Sequence, residues 1–186
     1  MRNTILLLLF TMFVTACQPA DRTFSKYGIS FTYPAGWQIE DNVESKTTSR
    51  VQLTRKGPDS EGIAIIRIFD EEDKAGTHID SYTIGMRQEG ILEHMQIEER
   101  IPDSYGAYAG SSVSYTGTGQ GKPYTGKIYV LQSGGRSCWI ITQEALAEQE
   151  ENRPCRELME KTFSIAPLSP VHKEFEEIFD IHPPEG

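Results

Sequence analysis

A few groups in this chain have side chains and spacing that could carry chemistry. Cys138 and Cys155 would close a loop of about sixteen residues, a bridge that stabilises by ~3 kcal/mol in the chain-entropy account. Two buried thiols are the alternative. The acidic run Asp70-Glu71-Glu72-Asp73, with His78 and Asp80 nearby, could gather a divalent cation. It lacks the alternating carboxylates, the glycine and the distal glutamate of a calcium loop, so a solvated charged loop is the plainer reading. Gly117-Thr118-Gly119-Gln120-Gly121 has the glycine content of a phosphate cradle. A cradle needs a helix N-terminus behind it, whereas this run lies between two strand-like segments and reads as a hairpin turn. Tyr105, Tyr108, Tyr115, Tyr124 and Tyr129 could rim a binding surface or fill a core. Nucleophile elbow, P-loop, paired-histidine zinc motif and dinucleotide fingerprint are all missing from the sequence. No catalytic, cofactor-binding or metal-ligating residue is therefore assigned.

The remaining reactive group is Cys17. Arg2 precedes an apolar run from Ile5 to Val14, and small residues follow, the order of a secretory signal peptide. That run is far short of the ~20 residues needed to span hydrocarbon. Val14-Thr15-Ala16-Cys17 resembles the lipobox of bacterial lipoproteins at all four positions. The resemblance implies cleavage before Cys17 and acyl chains on its amine and thiol; an unacylated signal peptide is the competing reading. One acyl chain holds a protein only marginally and two or more hold it stably. Gln18 follows the cysteine where aspartate would favour inner-membrane retention, so in a didermal cell the resemblance implies the periplasmic face of the outer membrane.

Removing residues 1–16 leaves 170 residues with 17 Lys+Arg against 27 Asp+Glu. That length suits one domain with a tail. An acidic balance excludes nucleic acid as a natural partner, because phosphate binding needs clustered cations. It also leaves the acyl chains to do the membrane holding.

The elements that must position these groups are mostly strands. Residues 29–33, 37–40 and 51–54 alternate apolar and polar, and the β-branched run Ile63–Phe69 reads as a central strand covered on both faces. Asp80 is placed as the N-cap of a helix over 81–95, and an edge strand over 96–101 ends at Pro102. Residues 108–116, 124–132 and 136–142 form a meander. Helix-prone sequence follows over 143–151, then an amphipathic helix over 153–162 with Pro154 in its first turn. The tail over 169–181 places Val171, Phe175, Ile178 and Phe179 on one face, which needs a surface of its own domain or of a partner. Trp37, after Gly36, reads as an aromatic plug in the core. The organisation is thus 1–16 leader, 17–25 tether, 26–167 domain and 168–186 tail helix, of α+β class with a largely antiparallel sheet.

Tyr27-Gly28-Ile29-Ser30-Phe31-Thr32-Tyr33-Pro34-Ala35-Gly36-Trp37 resembles the opening of the PsbP-like superfamily. The later runs Tyr129–Leu131, Cys138–Thr142 and Glu160–Ser164 are similar to its ending. The resemblance covers residues 24–166 and implies an α/β/α sandwich, a central antiparallel sheet with helices on both faces. It includes DcrB-like lipoproteins and implies binding or assembly rather than catalysis. The lead expectation is a lipid-anchored envelope module that docks on a membrane complex, with an envelope protein as partner and no cofactor. A small-ligand or metal carrier is the rival, and an enzyme comes third.

Overall fold

The computed structural model describes residues 20–45, 48–57, 60–69 and 75–168. Eight strands form one antiparallel sheet: β3 (Trp37–Glu44), β4 (Thr48–Arg55), β5 (Ile63–Phe69), β10 (Arg136–Ala145), β9 (Lys122–Ser133), β8 (Tyr108–Gly119) and β6 (Glu93–Ile97), in that spatial order, with β7 (Ile101–Tyr105) on the other stretch of β8. A second, three-stranded sheet has β1 (Arg22–Lys26) and β11 (Ser164–Ile165) on either side of β2 (Ile29–Tyr33). The two helices are α1 (Ala75–Gln88) and α2 (Gln149–Thr162).

Alternation along β10 shows how the core is split. Cys138 and Ile140 point to one face, where they meet Cys155 and Met159 of α2 together with Phe24, Ile29 and Phe31 of the small sheet. Trp139 and Ile141 point to the other face and meet Ile79 and Met86 of α1. The central strands are apolar on both sides because both sides are covered. The result is sheet-dominated: one face of the large sheet carries α1, while the other carries α2 and a second small sheet. That agrees in part with the expected sandwich. Trp37 is buried in the α2-side core, as expected.

Several expectations are corrected. Cys138 and Cys155 are free, buried thiols rather than a disulfide. Cys155 Sγ turns to Met159 Sδ at 3.7 Å, and Cys138 Sγ to the Trp139 carbonyl at 3.9 Å. Burial lifts both thiols far above their usual range, Cys155 to about 12, so neither is a nucleophile at neutral pH. Residues 22–25, read as part of the tether, belong to strand β1, which pairs along all of β2. The middle helix starts at Ala75, which leaves Asp80 inside it and not at its cap. Its buried stripe is Ile79, Thr83 and Met86, at i, i+4 and i+7. Gly90, at φ +63°, ends it: Gly90 N–H donates to the Arg87 carbonyl and Ile91 N–H to that of Met86, a Schellman termination. One expected edge strand becomes two, β6 and β7, and Pro102 lies in β7 opposite Ser111.

Strand β10 runs three residues past Thr142, because Gln143, Glu144 and Ala145 pair with Gly126, Thr125 and Tyr124 of β9. Ladder pairing overrides the local helical preference there. Helix α2 then starts at Gln149, so Pro154 falls inside it. The glycine run is a hairpin as expected, with the turn itself at Gln120-Gly121 (φ +50° and +77°), a pair of positive φ values suited to a two-residue turn. Cys17, Asp70–Asp73 and the tail over 169–186 lie outside the described residues. No described helix is long and apolar enough to cross a membrane.

Candidate functional site

Polar residues gather between α2 and the sheet where the apolar core ends. One turn of the helix wheel carries Cys155 and Met159 into the core, and the adjoining positions Arg153, Arg156, Glu157 and Glu160 lie along a groove of roughly 360 Å³. Its other wall is β7 to β10, through Tyr105, Lys127, Tyr129 and Glu144. That volume lies within the ~300–1,000 Å³ range of small-ligand sites.

The groove's cations are already engaged. Lys127 Nζ is 2.7 Å from Asp103 Oδ2 and 4.8 Å from the centre of the Tyr129 ring. Ser112 Oγ donates to the same carboxylate oxygen at 2.7 Å. The Lys127 and Ser112 bonds hold the Asp103 carboxyl down at about 2. Burial works against the Lys127 charge, but the Asp103 and Tyr129 contacts prevail and raise its pKa. Lys127 faces Ser114 across the β8–β9 ladder, a juxtaposition that would suit a serine–lysine dyad. A lysine kept protonated cannot accept the serine proton, so the arrangement is an ion pair and not an activated nucleophile. Arg156 binds both oxygens of Glu144, and Arg153 pairs with Glu150 at 2.7 Å. Burial raises the Glu144 carboxyl pKa, against the pull of Arg156.

Left over are Tyr105, Glu157 and Glu160. Tyr105 is 3% exposed and packs edge-on against Tyr129 and Phe163. Its hydroxyl has no hydrogen-bond partner among the described residues. Burial, then the charge of Glu160, push the phenol well above its usual range and keep it neutral. Neither glutamate has an ion-pair partner among the described residues.

A second cavity, roughly 520 Å³, opens at the end of the sheet beside Glu61, Leu92, Gln120, Tyr124 and Gln143. Its main acid is committed: Lys122 Nζ lies 2.6 Å from Glu61 and the Tyr124 hydroxyl donates to the same side chain. The Gln143 side chain accepts from Tyr115 at 3.2 Å.

Of the residues singled out in the sequence, Tyr105 and Tyr129 meet in the first groove, and Tyr124 lines the second. Tyr115 is wholly buried on the α1 side. Tyr108 instead ties down β11, its oxygen accepting the Ile165 N–H at 2.8 Å. Among the residues that can be described, no group of three or more His, Cys, Asp or Glu comes together as a metal site. Sequence reading missed Asp103, Lys127, Glu144, Arg153, Arg156, Glu157 and Glu160. The helical spacing of residues 153, 156, 157 and 160 was an available signal for a charged face on α2.

The fold is similar to those of several solved structures, a PsbP among them. Cyanobacterial PsbP (CyanoP) from Synechocystis sp. PCC 6803 is similar with a TM-score of 0.53 and 12% identity, over 81% of this chain and 95% of that one. LpqN of Mycobacterium tuberculosis, whose structure is described as that of a protein involved in cell envelope biogenesis, gives 0.50 at 15% identity, over 80% and 91%. A Bacteroides thetaiotaomicron protein gives 0.51 at 14% identity over 77% of this chain, which spans only 48% of that longer structure. No protein-family model and no curated protein matches the sequence.

Proposed function

We propose that this chain is a lipid-anchored module of the cell envelope that docks on a membrane-associated protein complex and catalyses no reaction. Cys17, with the leader before it, supplies the anchor. The observation that carries the reading is the position of the first strand: β1 opens at Arg22, only five residues after Cys17. Five residues reach at most ~18 Å, so acylation there would keep the whole domain at the membrane surface. The fold shared with LpqN, a protein of envelope biogenesis, supports the same location. The absence of catalysis rests on Lys127, held charged by Asp103 in the groove, and on two thiols buried in the core rather than facing it. Crosslinking in cells, followed by mass spectrometry of the captured protein, tests the docking. One envelope protein enriched in membrane fractions is the expected result; none enriched rejects the reading.

A second reading, a carrier of a small ligand, is favoured by the groove and its unpartnered Tyr105. Native mass spectrometry of the purified protein separates the two. A retained small molecule supports the carrier, and a clean unliganded mass supports the docking module.

A further inference from the structure

Within the groove, each cation has a carboxylate partner: Lys127 with Asp103, Arg156 with Glu144, Arg153 with Glu150. Glu157 and Glu160 therefore leave the groove with surplus negative charge. Beside them Tyr105 offers a hydroxyl without a partner from a ring that is 97% buried. That hydroxyl opens on the cavity, so a ligand can supply the bond that the protein does not. The rings of Tyr105 and Tyr129 line the same wall. That wall already holds one ammonium group, that of Lys127, over the Tyr129 ring.

We propose that this groove binds a primary organic ammonium ion, which donates to the Glu160 carboxylate and the Tyr105 hydroxyl while its alkyl stem lies along the tyrosine rings. An ammonium brings three donors and no acceptor, which matches two carboxylates and a phenol, and aromatic faces favour a cation. A hard divalent ion fits worse. It demands six or more oxygens, and most of those in the groove are already engaged in ion pairs or offered only as neutral phenols. The proposal stands independently of the docking reading. Two sources share this chemistry, a free alkyl diamine and the lysine side chain of a polypeptide.

Calorimetric titration of the purified protein with 1,5-diaminopentane and with Nα-acetyl-lysine methylamide tests it. Saturable one-to-one binding of at least one probe is expected. Tighter binding of the capped lysine assigns a polypeptide source, and tighter binding of the diamine assigns a free amine. Glu160→Gln, at a half-buried helix position, should weaken binding by about tenfold or more, and Tyr105→Phe by several-fold. Glu40→Gln on β3 removes the same charge elsewhere and should change nothing. If Tyr105→Phe fails to fold, the two glutamate variants still decide the matter. The proposal is overturned if neither probe saturates at millimolar concentration, if Glu160→Gln binds as well as the parent, or if Glu40→Gln weakens binding equally.

Discussion

On β9, a Cβ at Gly126 would stand 2.2 Å from the Tyr115 ring and 2.6 Å from the Thr142 carbonyl oxygen. Tyr115 cannot yield, because its hydroxyl bonds that same carbonyl at 3.3 Å and the residue is fully buried. Gly126→Ala should therefore destabilise by ~2–3 kcal/mol, as overpacking does, read as a lower urea midpoint at unchanged slope. Asp103 makes a different prediction. Its carboxyl is held at about 2 when folded, below the ordinary 3.8, so its ion pair contributes stability above about pH 4. That contribution is lost as pH falls toward 2. With a quarter of the side chain exposed, solvent screening reduces the effect to ~1 kcal/mol. Asp103→Asn should lose about that much at pH 7, and parent and variant should converge near pH 2 in denaturant titrations. Equal stability at pH 7 would show that the pair holds nothing together. Neither residue was legible in the sequence as important. Gly126 looks like any strand glycine until the register of β8 against β9 places Tyr115 opposite it, and Asp103 meets Lys127 only across three strands.

At the scale of elements, Trp37, the meander and its hairpins were readable, because period-two alternation and short glycine turns are local signals. Element ends were not. The extension of β10 to Ala145 is decided by partners on β9, which local propensity does not contain. The groove was hidden for the same reason, since its walls come from α2 and four strands whose alignment exists only once folded. Pro154 tests how α2 is held. It lies at the sixth position of the helix, where its ring crowds the Glu150 carbonyl and leaves that oxygen without its usual donor. The helix persists because Cys155 and Met159 bury themselves beside it. Pro154→Ala should restore the bond and raise stability by ~1–3 kcal/mol, seen as a higher thermal midpoint. An unchanged or lower midpoint would mean that Pro154 itself helps to seat those two side chains.

For the whole molecule, the place of the folded body relative to the proposed anchor governs what it can reach. Cys17 precedes β1 by five residues, and β1 is an edge strand of the small sheet. The chain's exit lies toward the other end of that sheet: β11 runs parallel to β1, Ile165 is level with Ile29 and so with Lys26, and Leu168 N–H donates to the Gly134 carbonyl. A tether this short would hold the domain close to the bilayer, with the Arg22 end of β1 nearest the anchor. If docking occurs on a membrane complex, reach is then part of the interaction, because an ~18 Å tether confines the domain to a thin shell and raises its effective concentration there. Cys17→Ser should release the protein into the soluble fraction. Inserting about twenty Gly/Ser residues after Ala20 should leave it membrane-bound, yet extend the root-mean-square reach to ~25 Å and reduce crosslinking to the partner severalfold. Unchanged crosslinking with the long tether would show that affinity for the partner, and not confinement at the membrane, sets the interaction. Continued membrane association of the Cys17→Ser protein would move the anchor to another part of the chain.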